Sequence, residues 1–240
     1  MKTKRIFIVC FLFWIVCSVS FAGDDFPEVK AEEVKQIMDS GNGTFLLNPL
    51  SDIEFDQQHI PGSTNVPLHT IETSDRLPKD KNTPIITYCL GPKCIMSIKA
   101  AQKLSKLGYT NIKVFKDGIP GWAMKGYALN TENALPKTKV EKVKVNQLKK
   151  LLGQVFILDI RETKNRAKLG WIKESHHIPF ARLSSMLNEI PKDKTVVVMD
   201  HAGKQVLTAC LYLKSKGYSD VKRFQGGMMK WVTKGLPVER

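Results

Sequence analysis

The chain has 240 residues, enough for one large domain or two small ones, and its 37 Lys and Arg against 23 Asp and Glu give a net charge of +14. The basic residues are scattered, without a dense run interleaved with aromatic residues, so the sequence argues against nucleic-acid binding. This charge favours small anionic ligands.

Residues 1–22 have the pattern of a secretory signal peptide. Lys2, Lys4 and Arg5 precede an apolar run at residues 6–16, and small residues then lead to Ala22. The run is shorter than the roughly 20 residues that a membrane-spanning helix needs. We therefore predict cleavage after Ala22 and a periplasmic or secreted mature chain with no stable membrane span. A signal retained as an anchor is the alternative.

The mature chain is predicted to keep an odd number of cysteines. Cys10 and Cys17 leave with the signal, and Cys89, Cys94 and Cys210 remain. An odd number does not make a disulfide framework, and an unpaired thiol in an oxidising compartment is usually buried or functional. Cys210 lies on an apolar helix face, so we expect it in the core.

The second half of the chain repeats the first, element by element. The pattern of apolar residues predicts short helices alternating with short strands, two of which are the continuous apolar runs of a buried parallel sheet. In chain order the elements of the first unit are a helix near residues 29–38, a strand at 44–48, the triplet His59-Ile60-Pro61, a strand at 84–88, a helix ending before Gly108, a strand at 112–115 and Trp122. Those of the second are a helix near residues 143–152, a strand at 155–159, the triplet His177-Ile178-Pro179, a strand at 195–199, a helix ending before Gly217, a strand at 221–224 and Trp231.

This repeat predicts two tandem α/β domains, each a parallel sheet flanked by helices on both faces. We place the first domain at residues 24–130 and the second at residues 140–240. Residues 131–139 form the linker between them, since this stretch is polar and contains Pro136.

The loops that follow the two buried strands are the places where we expect chemistry. Ligands of open parallel sheets bind beyond the carboxyl ends of the strands. A cysteine at such a point meets backbone N–H groups and the positive end of the next helix, which together favour thiolate over thiol. We predict Cys89 as the catalytic nucleophile. The predicted substrate-binding loop consists of Leu90, Gly91, Pro92, Lys93 and Cys94.

Both units resemble rhodanese (sulfurtransferase) domains. The resemblance rests on residues 59–67, Tyr88-Cys89, residues 108–111 and residues 117–122 in the first unit, and on residues 158–162, residues 177–179, Gly203, Gly226-Gly227 and Trp231 in the second. It implies that Cys89 takes a sulfane sulfur from thiosulfate or polysulfide as a persulfide and passes it to a thiol or to cyanide. No metal and no organic cofactor are implied.

The second unit departs from this family at the nucleophile. Asp200 stands where Cys89 stands in the first unit, and a carboxylate cannot form a persulfide. We therefore expect the second unit to be inactive and to serve as a scaffold or as a docking surface for a partner protein. Asp200 and His201 have no third ligand at a suitable spacing, so we predict no metal site.

The first unit departs from the family in its framework and in its loop. Asn48 and Leu50 replace the aspartate and arginine that the second unit keeps as Asp159 and Arg161. The loop after Cys89 is longer than its counterpart, or its helix begins earlier. It also lacks the arginine common near the end of this loop. Lys93 is the nearest cation, but an ammonium group does not reproduce the guanidinium fork.

Cys94 has two interpretations that the sequence leaves open. It is either a resolving thiol for Cys89 or a small apolar residue packed beneath the helix. Beside the sulfurtransferase, the alternatives are a non-catalytic or sulfur-carrier binding module and a Cys89/Cys94 thiol–disulfide redox protein. A relative acting on phosphate or arsenate is disfavoured, because the loop lacks an arginine and no general acid is evident.

Overall fold

The computed structural model describes residues 25–203 and 205–240, and the predicted signal peptide lies outside these residues. The described chain forms two α/β units, each built on one parallel sheet. The strands are β1 (Phe45–Asn48), β2 (Thr64–Asn65), β3 (Ile85–Tyr88), β4 (Ile112–Phe115), β5 (Glu141–Val143), β6 (Phe156–Asp159), β7 (Ser175–His177), β8 (Val196–Met199) and β9 (Val221–Phe224).

Short helices connect these strands. They are α1 (Ala31–Asp39), α2 (Asp52–Gln57), α3 (Met96–Lys106), α4 (Gly118–Met124), α5 (Val145–Leu151), α6 (Thr163–Leu169), α7 (Val206–Ser215) and α8 (Gly227–Thr233). A 3-10 helical segment covers Phe180–Glu189 in the second unit. Among the described residues, no helix has the length and apolar character needed to cross a bilayer.

The strand order places one fully buried strand in the interior of each sheet. The first sheet has the order β2-β1-β3-β4, and the second has the order β5-β9-β8-β6-β7. All pairs are parallel, and every residue of β3 and of β8 is buried. Since the carboxyl ends of parallel strands meet at one edge, β3 delivers Cys89 and β8 delivers Asp200 to that edge.

Helices cover both faces of the first sheet. Successive side chains of a strand point to opposite faces, so Tyr88 packs with Val34 and Trp122 on one face, whereas Ile85 packs with Leu104 on the other. Val34 belongs to α1, Trp122 to α4 and Leu104 to α3. The predicted fold class, two tandem parallel-sheet α/β domains, is confirmed.

The two units also pack against each other. Ile53 of α2 is 2% exposed and lies in the hydrophobic core of the second unit, beside Leu183. The predicted linker, residues 131–139, begins beside α2. The backbone N–H groups of Glu132 and Asn133 both donate to the carbonyl oxygen of Asp56 in this helix. Packing and the linker therefore both hold the units together.

Candidate active site

Cys89 opens the loop between β3 and α3 and is fully buried. Leu90 and Ile95, at either side of this loop, are 47% and 55% exposed. The loop turns back on itself, because the N–H of Cys94 donates to the carbonyl oxygen of Gly91 at 2.9 Å. This turn brings Cys94 back towards the strand end from which Cys89 comes.

The start of α4 fixes the backbone of Cys89. The N–H of Ile119 donates to the carbonyl oxygen of Cys89 at 3.1 Å. This close approach requires glycine at position 118. The φ of Gly118 is +56°, and a Cβ at this position would lie only 2.1 Å from the Cys89 carbonyl oxygen. The glycine turn before Trp122 therefore contacts the backbone of Cys89 directly and fixes its position.

The sulfur of Cys89 has contacts that favour each of its protonation states. The thiol form donates to the carbonyl oxygen of Cys94 at 3.2 Å. The thiolate form accepts from the thiol of Cys94, from the hydroxyl of Ser97, whose Oγ is 3.5 Å away, and from the N–H groups of Ser97 and Gly91. The donors are more numerous than the acceptor, and they outweigh the burial that disfavours a charged sulfur.

The pKa of Cys89 is therefore low. The hydrogen bond from the Cys94 thiol, the largest influence, lowers this pKa to about 6 against the opposing effect of burial. The same contact holds the proton on Cys94 and raises the pKa of that thiol far above its usual value. At neutral pH the pair is one thiolate and one thiol, with Cys89 carrying the charge. Cys89, Cys94 and Cys210 are all free thiols in the structure.

Ser97 is a site residue that the sequence reasoning missed. It is the second residue of α3 and is fully buried, with its side chain and its N–H both aimed at Cys89. A serine in the first turn of a helix is ordinary in sequence, since serine is common at helix starts. The available signal was its place just inside the helix that begins after the nucleophile loop.

The loop of the second unit has the same plan with a different side chain. Asp200 is 4% exposed, and its carboxylate accepts from the N–H groups of Gly203, Gln205 and Val206, the latter two at 2.8 and 3.3 Å. The N–H of Met228 donates to the Asp200 carbonyl oxygen at 2.8 Å, as Ile119 does for Cys89. The carboxylate therefore occupies the place in the second loop that the Cys89 sulfur occupies in the first.

The two loops differ in length by one residue. The first runs from Cys89 to Ile95 and the second from Asp200 to Gln205. When Ala100 is aligned with Ala209, α3 also begins one residue earlier than α7. A longer loop and an earlier helix therefore both contribute.

A cleft between the units brings positive charge near the loop. It has a volume of about 390 Å³, and Met96 and Lys99 of α3 face Lys164 of the second unit across it. Contact with the Lys164 ammonium group lowers the pKa of Lys99, and Cys94 is also close enough to influence it. Lys93, the cation expected from the sequence, is exposed and does not line this cleft. Lys99 and Lys164 were missed because the repeat does not show how the units pack.

The other residues singled out in the sequence have structural roles. The ring of His59 contacts the carbonyl oxygen of Phe55 at 3.0 Å, and the ring of His177 contacts that of Arg161 at 2.7 Å. Cys210 is fully buried in the core of the second unit, and burial raises its pKa to about 12. Asp159 pairs with Arg161 at 2.6 Å and braces the second unit.

The first unit replaces that ion pair with a local hydrogen bond. The side-chain oxygen of Asn48 accepts from the N–H of Leu50 at 2.9 Å. Across residues 25–203 and 205–240, no group of three or more His, Cys, Asp or Glu side chains is arranged to hold a metal ion.

Comparison with known proteins identifies the family. The model of the rhodanese-like domain matches residues 30–125 and again residues 144–234. A sulfurtransferase of Allochromatium vinosum is 34% identical over 84 residues, which are 35% of this chain and 78% of that protein. A thiosulfate sulfurtransferase of Pseudomonas fluorescens is 32% identical over 75 residues, 31% of this chain and 68% of that protein.

The crystal structure of a thiosulfate sulfurtransferase from Pseudomonas aeruginosa aligns with 89% of this chain and 43% of its own, with 21% identity and a TM-score of 0.41. The two curated relatives each match about a third of this chain, whereas the domain model matches it twice. The chain therefore belongs to the rhodanese-like family and contains two of its domains.

Proposed function

We propose that the protein is a sulfurtransferase that carries sulfane sulfur on Cys89. The observation that carries this proposal is the position of Cys89 between the end of β3 and the start of α3, with the Ser97 hydroxyl oxygen 3.5 Å from its sulfur. These surroundings lower the pKa of Cys89 to about 6. A thiolate is the reactive form of cysteine towards sulfur, and this one is formed at neutral pH without a separate base. The sulfurtransferase names of the two relatives support the same reaction class.

The reaction proceeds in two displacements at sulfur. The Cys89 thiolate attacks the outer sulfur of thiosulfate, a Cys89–sulfur bond forms, the sulfur–sulfur bond of the donor breaks, and sulfite leaves with the electron pair. A polysulfide donor reacts in the same way and releases a shortened polysulfide. A thiolate or cyanide then attacks the outer sulfur of the persulfide and restores the Cys89 thiolate.

The same donors that favour the thiolate also stabilise the persulfide anion. The hydroxyl and N–H of Ser97 and the N–H of Gly91 point to the sulfur, and the start of α3 adds its positive end. Because Cys89 is fully buried, the loop between Leu90 and Ile95 has to open before a donor reaches the sulfur. Lys99 and Lys164 attract an anionic donor to the cleft beside this loop.

The second unit acts in this proposal as support rather than as a second catalyst. Asp200 leaves it without a sulfur nucleophile, and its carboxylate already holds the loop N–H groups. Its contributions are the packing around Ile53 and the Lys164 side of the cleft. The sequence of residues 1–22 supports export of the protein to the periplasm or the medium.

Mass spectrometry tests the proposal. The purified protein is incubated with thiosulfate or polysulfide under anaerobic conditions. The Cys94→Ser variant is used because it lacks the second thiol of the loop, which could otherwise remove sulfur from Cys89. We expect this variant to gain the mass of one sulfur atom on Cys89 and to lose it, as thiocyanate, when cyanide is added. Cys89→Ser should gain none. Cys210→Ala, which removes a buried thiol of the other unit, should behave as the parent. Equal loading of Cys89→Ser would overturn the proposal.

A further inference from the structure

The Cys89 loop holds two thiols in contact, and the proposed function uses only one of them. The Cys89 sulfur lies 3.2 Å from the carbonyl oxygen of Cys94, and the turn closed by the Gly91 carbonyl oxygen brings Cys94 to this position. The Cys94 thiol is close enough to lower the pKa of Cys89. Gly91 has a φ of +136°, a backbone conformation that glycine adopts without strain. Cys94 is half-buried and is not engaged in a disulfide bond.

This contact has the arrangement of a nucleophilic thiol and its resolving thiol. The loop turn holds Cys94 against Cys89, with the Cys89 sulfur 3.2 Å from the Cys94 carbonyl oxygen. The influence of each thiol on the pKa of the other favours the charge on Cys89 and the proton on Cys94. The corresponding loop of the second unit, residues 200–205, contains no cysteine, and Asp200 accepts backbone N–H groups there. The fold that both units share therefore does not require a cysteine at the position of Cys94, which occurs together with Cys89.

We propose that Cys94 resolves the Cys89 persulfide and releases its outer sulfur as sulfide, which makes the protein a dithiol-dependent reductase of sulfane sulfur. The inference rests on the proposed function, because it needs the persulfide. The sulfur of Cys94 attacks the inner sulfur of the persulfide, which is Sγ of Cys89. A Cys89–Cys94 disulfide bond forms, the bond between Sγ and the outer sulfur breaks, and the outer sulfur leaves as hydrosulfide with the proton of Cys94.

Atoms, charge and electrons balance in this step. One thiol and one persulfide anion become one disulfide and one hydrosulfide anion. The two cysteine sulfurs together lose two electrons, and the sulfane sulfur gains them. An external dithiol then reduces the disulfide by thiol–disulfide exchange and restores the starting pair. With thiosulfate as donor, one turnover yields sulfite, sulfide and the oxidised dithiol.

The geometry changes in favour of this step once the persulfide has formed. Before loading, the negative charge of Cys89 lies next to Cys94 and holds its proton in place. After loading, the charge moves one atom outwards, to the sulfur that is to leave. The Cys94 proton and the leaving sulfur are then neighbours, so the proton is available where hydrosulfide is formed.

A single turnover without any added acceptor tests the inference. The reduced, anaerobic protein receives thiosulfate, and released sulfide is measured beside a tryptic digest of the alkylated product. Trypsin cleaves after Lys93 and so separates the two thiols into the peptides 82–93 and 94–99. We expect the parent protein to release one sulfide per chain and to yield these two peptides joined by a disulfide. Cys94→Ser should release none and should keep the extra sulfur on peptide 82–93.

Cys210→Ala is the matched control, and it should release sulfide as the parent does. A parent protein that keeps a stable Cys89 persulfide, without joined peptides and without sulfide, would overturn the inference and leave the sulfurtransferase in place. Joined peptides that form equally without thiosulfate would also overturn it, because the disulfide would then owe nothing to sulfur release. Absence of sulfur on Cys89 in the Cys94→Ser variant would instead refute the proposed function itself.

Discussion

The Cys89 loop and the Asp200 loop share one backbone plan and differ in the anion that they hold. In both units, a buried inner strand leads directly into this residue, Cys89 or Asp200. Its carbonyl oxygen accepts a hydrogen bond from an N–H in the first turn of a later helix, that of Ile119 in the first unit and that of Met228 in the second. The N–H of Ser97 points to the Cys89 sulfur as that of Val206 points to the Asp200 carboxylate. The plan therefore provides a site for a negative charge whichever residue is present.

The difference lies in whether that charge is permanent. The Asp200 carboxylate accepts three backbone N–H groups and keeps the second site filled. Cys89 brings its own charge as a thiolate, and in the proposed reaction the same site then holds a persulfide that forms and is discharged in each cycle. The first loop adds two side-chain donors to Cys89, from Cys94 and Ser97. Within the described residues of the second loop, the donors to Asp200 are backbone N–H groups. This comparison separates the residues that build the loop from those that make it reactive.

The largest effect is expected from adding a methyl group to the glycine that supports Cys89. In Gly118→Ala, the new Cβ would lie 2.1 Å from the Cys89 carbonyl oxygen and 2.9 Å from the Gly91 nitrogen, so the loop backbone has to shift. A displacement of about 1 Å at a reacting group can cost on the order of 100-fold in rate. We expect a loss of that size in the rate of sulfur loading per folded molecule.

Gly227→Ala is the matched control in the second unit. Its Cβ would lie 2.6 Å from the Asp200 carbonyl oxygen, so it also strains a loop backbone and should also lower the thermal midpoint. Sulfur loading per folded molecule should stay close to that of the parent. If Gly118→Ala loads sulfur within a few-fold of the parent rate, the support assigned to Gly118 is refuted. Equal losses in the two variants would show that the units act together.

Removal of the Asp200 carboxylate should lower the unfolding free energy and leave the rate of sulfur loading by Cys89 unchanged. Asp200→Ala leaves the N–H groups of Gly203, Gln205 and Val206 without their acceptor, and an unsatisfied buried donor costs about 1–3 kcal/mol. We expect the unfolding free energy in urea to fall by about that amount. Asp200→Asn keeps one acceptor oxygen and should lose less. A fall in the rate of sulfur loading by Cys89 would mean that the second loop takes part in the reaction.

The fold and the position of the candidate nucleophile could be predicted from the sequence because both depend on local patterns. Apolar runs such as residues 84–88 and 195–199 predict buried strands in a repeated α/β unit, and the structure has strands there. The end of such a strand is also where a parallel sheet binds ligands, so Cys89 could be proposed as the nucleophile without any tertiary information. The same reasoning showed that Asp200 cannot form a persulfide.

The features that were missed depend on distances that the sequence does not contain. Ile53 belongs to the core of the other unit, which a short amphipathic helix does not reveal. Lys99 and Lys164 face each other only because the two units pack together. The carboxylate of Asp200 accepts three backbone N–H groups because the loop backbone curls around it. The resolving role that we propose for Cys94 likewise depends on the turn at Gly91, which the sequence does not show.

The smallest effect is expected from Ser97, the donor whose counterpart in the second unit is the apolar Val206. Ser97→Ala removes the hydroxyl donor but keeps the backbone N–H, and the stronger donor Cys94 remains, so the pKa of Cys89 should rise from its value of about 6. A higher pKa means less thiolate at a given pH below it. The rate of alkylation of Cys89 should therefore fall near pH 6, and its profile should move to higher pH.

The shape of this profile separates an electrostatic role from a structural one. At a pH well above the pKa of Cys89 in both the parent and the Ser97→Ala variant, Cys89 is fully ionised in each. Their alkylation rates should therefore converge. Ser105→Ala, on the exposed side of the same helix, should leave the profile unchanged. A variant that reacts more slowly at every pH, with an unmoved midpoint, would make Ser97 a packing residue.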